Sequence, residues 1–119
     1  MKLVIPSEGP DPTSQVDPRF GRARFLVHYD SISSSFVATD NSAQAGAVQG
    51  AGVQAAQKVL DLGAEALLTG HCGPKAFQVL VEGGVIIYSG FEGSVLGAVK
   101  AWQEGELKIL AAPDGKARH

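Results

Sequence analysis

One cysteine, Cys72, is all that this chain of 119 residues contains, so no internal disulfide can brace it. Long apolar runs are missing as well: Met1-Lys2-Leu3-Val4-Ile5 is stopped by Pro6, far short of a signal-peptide core or a spanning helix. Neither sign of charge dominates. Ten Lys and Arg against twelve Asp and Glu leave a net charge of −2, which offers no bulk attraction to nucleic acid or to an anionic membrane. There is no internal repeat, no low-complexity tract and no Walker-type lysine motif. These absences lead to the expectation of a soluble, reduced, cytoplasmic protein that binds neither nucleic acid nor membrane and recognises its ligands locally. What is present suffices for a single domain, since a chain of this length buries a core without disulfides or a structural metal.

The first half reads as strands. Leu3 to Ile5, Phe25 to Tyr29 and Ser35 to Thr39 are short apolar or alternating runs bounded by Pro, Gly, Asp and Asn, and a meander is their simplest arrangement. Along the second run, Phe25, Val27 and Tyr29 share one face while Leu26, His28 and Asp30 share the other. His28 is thereby either half exposed or a cross-strand partner. The period then changes: Val53, Ala56 and Leu60 mark one helix face, Phe77, Leu80 and Val81 a second, and Val95, Ala98, Val99 and Trp102 a third. Gly63, Gly83 and Gly105 follow these runs where a left-handed residue would end each helix, and Ser94 is placed to cap the last. Between the helices, Ala66-Leu67-Leu68 and Val85-Ile86-Ile87-Tyr88 are continuous apolar runs, as parallel strands covered on both faces require. Leu107 to Leu110 is a candidate last edge strand.

This order, βββαβαβα, predicts a single α/β domain over residues 1–112, a mixed five-stranded sheet in the order 3-2-1-4-5 with three helices, and a frayed polar tail at 113–119. Strands one and four are then parallel neighbours whose connections leave in opposite directions, so a binding pocket is expected at their carboxyl ends. Gathered on that edge are the loop after Ile5, Arg22 and Arg24, Asn41, the helix start near Gly50, and His71-Cys72. The loop from Pro6 to Ala23 is too long for a mere connector. It carries Arg19, Gly21 and Arg22 around Phe20, and guanidinium groups are forked donors for an oxyanion or a sulfido-metalate.

Thr69-Gly-His-Cys-Gly-Pro-Lys75 offers an imidazole, a thiol and an anion-binding corner together, because Pro74 can open a helix whose free N–H groups favour anions. Each residue also has a plainer reading. Cys72 is either a buried core thiol or, facing the crevice, a copper(I) ligand that needs sulfide or a second ligand beside it. His28 reads as a strand-face histidine and His119 as a terminal one. Arg19 and Arg22 either meet a ligand or pair with Asp17 and Asp11. Gly50 and Gly52 serve close packing or direct ligand approach. Gly50-Ala-Gly-Val-Gln-Ala-Ala56 lacks the preceding strand and third glycine of a dinucleotide fingerprint. A Cys72 nucleophile with His71 as base lacks a third, orienting group.

In this order, Asp17-Pro-Arg-Phe-Gly-Arg-Ala23, Gly50-Ala-Gly-Val-Gln-Ala-Ala56 and Gly70-His-Cys-Gly-Pro-Lys-Ala76, with Gly84-Val-Ile-Ile-Tyr88 following, resemble the dinitrogenase iron-molybdenum cofactor biosynthesis family. The resemblance covers almost the whole chain. That family includes NifX-like proteins, the carboxyl-terminal domain of NifB-like proteins and the orange protein of sulfate reducers. It implies a ribonuclease H-like fold and the binding or carrying of metal–sulfur clusters rather than turnover. The His-Cys-Gly-Pro-Lys version looks most like the orange protein branch, which implies a non-covalent molybdenum–copper sulfide cluster. An iron–sulfur cluster or iron-molybdenum cofactor precursor is the alternative cargo. Where NifX-like members commonly have histidine before Phe-Gly-Arg, this chain has Arg19, and guanidinium is a strong anion partner but a poor metal ligand. No Cys-rich radical-enzyme motif is present, and the dispersed carboxylates argue against a two-metal nuclease.

The resemblance therefore implies a non-enzymatic cluster-binding module. Its expected binding residues are Arg19, Gly21, Arg22, Gly50, Gly52, Gly70, His71, Cys72, Gly73 and Lys75, with Cys72 and His71 as metal ligands. A cluster-donor or acceptor protein is the expected partner. The alternative is a regulatory or protein-interaction domain that docks through residues 6–23 and holds no cluster.

Overall fold

Strand β1 (Lys2–Ser7) is the centre of the molecule, and its Leu3, Val4 and Ile5 are wholly buried because both of its faces are covered. In the computed structural model, which describes residues 1–46 and 50–113, β2 (Phe25–Asp30) and β3 (Ser35–Asp40) continue from β1 as an antiparallel meander. On the other side β4 (Ala66–Leu68) and β5 (Ile86–Tyr88) run parallel to β1. The sheet order is β3-β2-β1-β4-β5, as the alternation of periods implies. The terminal part of the expected tail, 114–119, lies outside the described residues, as do 47–49.

Contrary to expectation, β1 does not stop at Pro6. Pro6 pairs with Leu26, and its carbonyl accepts the Asp17 N–H at 3.0 Å on the side away from β2. The missing N–H points to that same side, where β4, in register only with Leu3 and Val4, has already ended. No ladder bond is lost, so proline is tolerated.

Two helices cover one face and one covers the other. The α1 turn (Ser42–Ala45), which four residues are too few to announce by periodicity, precedes α2 (Ala51–Asp61); α3 (Pro74–Glu82) and α4 (Val95–Gln103) follow. Ala55, Ala56 and Val59 of α2 and Ala76 and Leu80 of α3 pack on Val4, Leu26 and Leu67, with Phe20 and Cys72 in the same cluster. On the opposite face Val95, Ala98 and Val99 of α4 meet Leu3, Ile5, Val27, Tyr29 and Leu68. The period-two reading of β2 is borne out by this division. Ser94 caps α4, its Oγ accepting the Gly97 N–H at 3.0 Å.

Gly63 and Gly105 have the expected left-handed φ of 75° and 72°, but after α3 the left-handed residue is Gly84, at 83°. Gly83 keeps φ −82° and serves packing instead, since a Cβ there would run into the Leu60 side chain. Leu107 to Leu110 forms a single antiparallel bridge, Ile109 to Tyr88, rather than a strand. No helix among the described residues is long and apolar enough to cross a membrane.

Candidate functional site

The register Ser7–Phe25–Asp40 aligns the end of β1, the start of β2 and the end of β3 on one edge of the sheet. The expected crevice between β1 and β4 is filled there by the long loop. Glu8 N–H donates to Gln15 O at 2.9 Å and Asp17 N–H to Pro6 O, so residues 15–17 lie beside β1 where β4 has ended. Val16 N–H also reaches Gly93 O at 2.8 Å, and Val95 N–H and Leu96 N–H are taken by Ser14 O and Pro12 O. The loop is thereby stitched to both β1 and the start of α4.

Beyond this filling the three glycine motifs meet. A Cβ on Gly70 would lie 2.8 Å from Pro18 Cα, and one on Gly21 would lie 2.7 Å from both Cα and N of Gly52. Backbone is pressed on backbone at both points, which only glycine allows. Arg19 and His71 are joined by a parallel bridge, so the arginine-bearing turn and the His-Cys-Gly-Pro segment are neighbours. Phe20 anchors that turn, a short 3-10 helix at Phe20–Arg22, by inserting its ring into the core beside Cys72. An apolar residue between arginine and glycine was the only sequence signal of this anchor.

Both nearby helix starts lack side-chain caps. Gly50, with φ 74°, precedes α2 and Gly73 precedes α3, and the first intrahelical bonds run from Gln54 N–H to Gly50 O and from Phe77 N–H to Gly73 O, each at 2.9 Å. The N–H groups of Gly52, Val53, Lys75 and Ala76 stand ahead of those bonds, and Pro74 has none to offer. A Cβ on Gly52 would sit 3.6 Å from that of Ala76, so the two first turns touch and their positive dipole ends add at one corner.

Of the charged residues, Arg19 is exposed over 72% of its side chain. Its Nε lies 3.8 Å from Asp17 Oδ1, and that oxygen also accepts the Arg19 N–H at 2.9 Å. Asp17 thus holds the turn while leaving most of the guanidinium in solvent. Arg22 and Lys75 are exposed on the same segments, and His71 is exposed too. Cys72 is fully buried and belongs to the core cluster. The two consecutive residues therefore face opposite ways, and His71 and Cys72 do not converge on one point.

Asn41 plays a part that composition did not indicate. It is wholly buried, donates Nδ2–H to Ala23 O at 2.8 Å and its own N–H to Arg24 O at 2.7 Å, and so pins the end of the arginine motif to the end of β3. Its Oδ1 finds no partner among the described residues. Next to it the Asp40 carboxyl is held below its ordinary range by hydrogen bonds from the Ser42 side chain and backbone N–H. His28 is half-buried in mid-strand opposite Val4, away from the motifs. A separate open depression of about 470 Å³ lies on the outer face of α2. Of its lining groups, Gln57 is engaged with Asp61 and Lys58 with the Asp40 carbonyl.

Comparison with known proteins finds relatives that match nearly the whole chain. The orange protein of Desulfovibrio gigas, solved in its apo form, is 37% identical and covers 96% of this chain and 96% of its own, with a TM-score of 0.93. The NMR structure of a Thermotoga protein assigned to NifB is 31% identical over 98% of both chains, with a TM-score of 0.85. An uncharacterized protein of Methanocaldococcus jannaschii is 26% identical across 91% of this chain and 90% of its own length. The family model described as dinitrogenase iron-molybdenum cofactor matches residues 1–105, and the chain belongs to that family.

Proposed function

We propose that this chain holds an anionic metal–sulfur cluster non-covalently, as cargo to be carried or stored without turnover, and that the cargo is a molybdenum–copper sulfide. The observation that carries this reading is the corner where Gly21 and Gly70 press the arginine-bearing turn against two helix starts without side-chain caps. Sulfido-metalates are polyanions that bring their own sulfide ligands, so they need charge compensation and hydrogen-bond donors more than protein ligation. Arg19 and Arg22 meet such a cluster from one side; Gly70 to Lys75 meets it from the other. Among the described residues no three His, Cys, Asp or Glu stand together as a metal cage, which suits a cradle better than a ligand set. Membership of the family and similarity to the orange protein support a cluster as the ligand. An exposed corner also leaves room for a donor or acceptor protein, and a lone thiol suits a reducing cytoplasm.

Cys72 and His71 enter this reading unequally. His71 is exposed at the corner, whereas a bond from Cys72 to copper requires the first turn of α3 to move outward from the core. Loading tests both. The apo-protein is mixed anaerobically with tetrathiomolybdate and copper(I), desalted, and examined by absorption and metal analysis. Co-eluting charge-transfer bands with stoichiometric molybdenum and copper are expected, and Arg19→Ala and Arg22→Ala should each retain less. Full retention in both variants would remove the cradle. Normal copper content in Cys72→Ala would remove the thiol as ligand, and colourless wild-type protein would turn the reading to an interaction domain.

A further inference from the structure

The two edges of the sheet are treated differently. Beyond β5, Ile109 bridges Tyr88 and the Leu110 N–H donates to Ile87 O at 2.7 Å, so the chain covers that edge itself. Among the described residues nothing pairs with the outer side of β3. The hydrogen bond from Asn41 N–H to Arg24 O sets the alternation along it. Asn41, Thr39, Val37 and Ser35 turn their backbone groups toward β2, and Phe36, Ala38 and Asp40 turn theirs outward. The Lys58 ammonium, 2.9 Å from Asp40 O, is consistent with that carbonyl facing out.

Edges left open are ordinarily guarded by lysine, proline or a bulge. Ser35-Phe-Val-Ala-Thr-Asp40 has no lysine, arginine, proline or glycine, its one charge is Asp40 at the strand's end, and Val37 is 60% exposed. We propose that β3 is the contact through which two copies of this chain associate, as an antiparallel pair with its two-fold axis at Ala38. The occupant follows from the spacing of the outward groups. A dyad at Ala38 sets Ala38 opposite itself and Phe36 opposite Asp40 of the second copy, so every outward N–H and C=O is used. The smallest side chain of the strand lies at the axis, and each aspartate faces an aromatic ring rather than its own copy. On the α2 side Val37 comes beside Thr39 of the second copy. A dyad at Phe36 would run the strand into the partner's turn at Ser31–Ser34, and one at Asp40 would oppose two carboxylates and run into α1. The Asp40 carbonyl has a second lone pair for the new bond beside Lys58.

So short an edge buries less than the roughly 1,600 Å² of a standard interface, and the association is weak, with Kd between about 10 µM and about 1 mM. Sedimentation across that range tests it, together with hydrogen exchange at the Ala38 amide. Wild-type mass should rise toward twice the monomer while the Ala38 amide becomes more protected with concentration. Ala38→Pro removes an outward N–H without touching the β2 ladder, and Val37→Lys adds the missing guard. Both should stay monomeric at every concentration with unchanged circular dichroism. If Ala38→Pro does not fold, Val37→Lys and the amide protection decide. A wild type that stays monomeric, or a dimer that persists in the folded variants, would overturn the proposal.

Discussion

Gly21 and Gly70 are glycine for steric rather than conformational reasons, because neither has a left-handed φ and a methyl on either would strike main-chain atoms of Gly52 or Pro18. Backbone cannot rotate aside as a flexible side chain does. Gly21→Ala and Gly70→Ala are therefore each expected to cost about 1–3 kcal/mol in denaturant unfolding, the usual range for overpacking, and to part the arginine turn from the helix starts. A loss below about 0.5 kcal/mol in both would mean that the loops give way freely and that this spacing has no steric basis. The motifs themselves were legible in the sequence; the atoms they press together were not. Nor did adjacency in sequence decide the fate of His71 and Cys72. One apolar contact set, with Phe20, Ala55 and Ala76, takes the thiol inward and leaves the imidazole outside.

Among the elements, α3 links stability and binding in opposite directions. Its N-cap, Gly73, has φ −70° and ψ 166°, a conformation open to any capping residue, and a Cβ there would meet nothing within 4 Å. Gly73→Asp can accept the N–H of Lys75 or Ala76, which stabilises a helix start by only a few tenths of a kcal/mol over glycine and should raise the melting temperature by about 1–2 °C. The same carboxylate takes the donors and adds negative charge where an anion would sit, so thiomolybdate retention should fall. Retention that survives in a more stable Gly73→Asp variant would move the ligand away from this helix start. Strand order, by contrast, needed no such detail. Three alternating or apolar runs, then apolar runs separated by helical periods, leave few right-handed arrangements. Periodicity could not reveal three details: Pro6 stays in β1 because β4 is short, Gly84 rather than Gly83 turns left-handed because Gly83 is the cap of α3 and the helix closes with Gly84 N–H on Val81 O and Val85 N–H on Leu80 O, and residues 15–17 take the crevice that topology alone would leave open.

For the molecule as a whole, a net charge of −2 offers an anion no bulk attraction, so the proposed binding has to be local, at the corner of Arg19, Arg22, Lys75 and the paired helix starts. Ligand binding to the native state alone stabilises it by RT ln(1 + [L]/Kd), about 2.7 kcal/mol at a hundredfold excess over Kd. For a domain of this size that is a rise of about 10 °C in melting temperature. Anaerobic thermal unfolding with tetrathiomolybdate and copper(I) should show such a rise, inorganic phosphate should not, and added salt should shrink the effect because the corner is exposed to solvent. The contrast matters because phosphate can engage the same helix starts and arginines, yet it is smaller than a sulfido-metalate cluster and lacks soft ligands for copper. Equal stabilisation by phosphate would make the corner a general oxyanion site and favour a small-anion or nucleotide-binding enzyme instead. No stabilisation by either would leave the exposed turn as a surface for a protein partner.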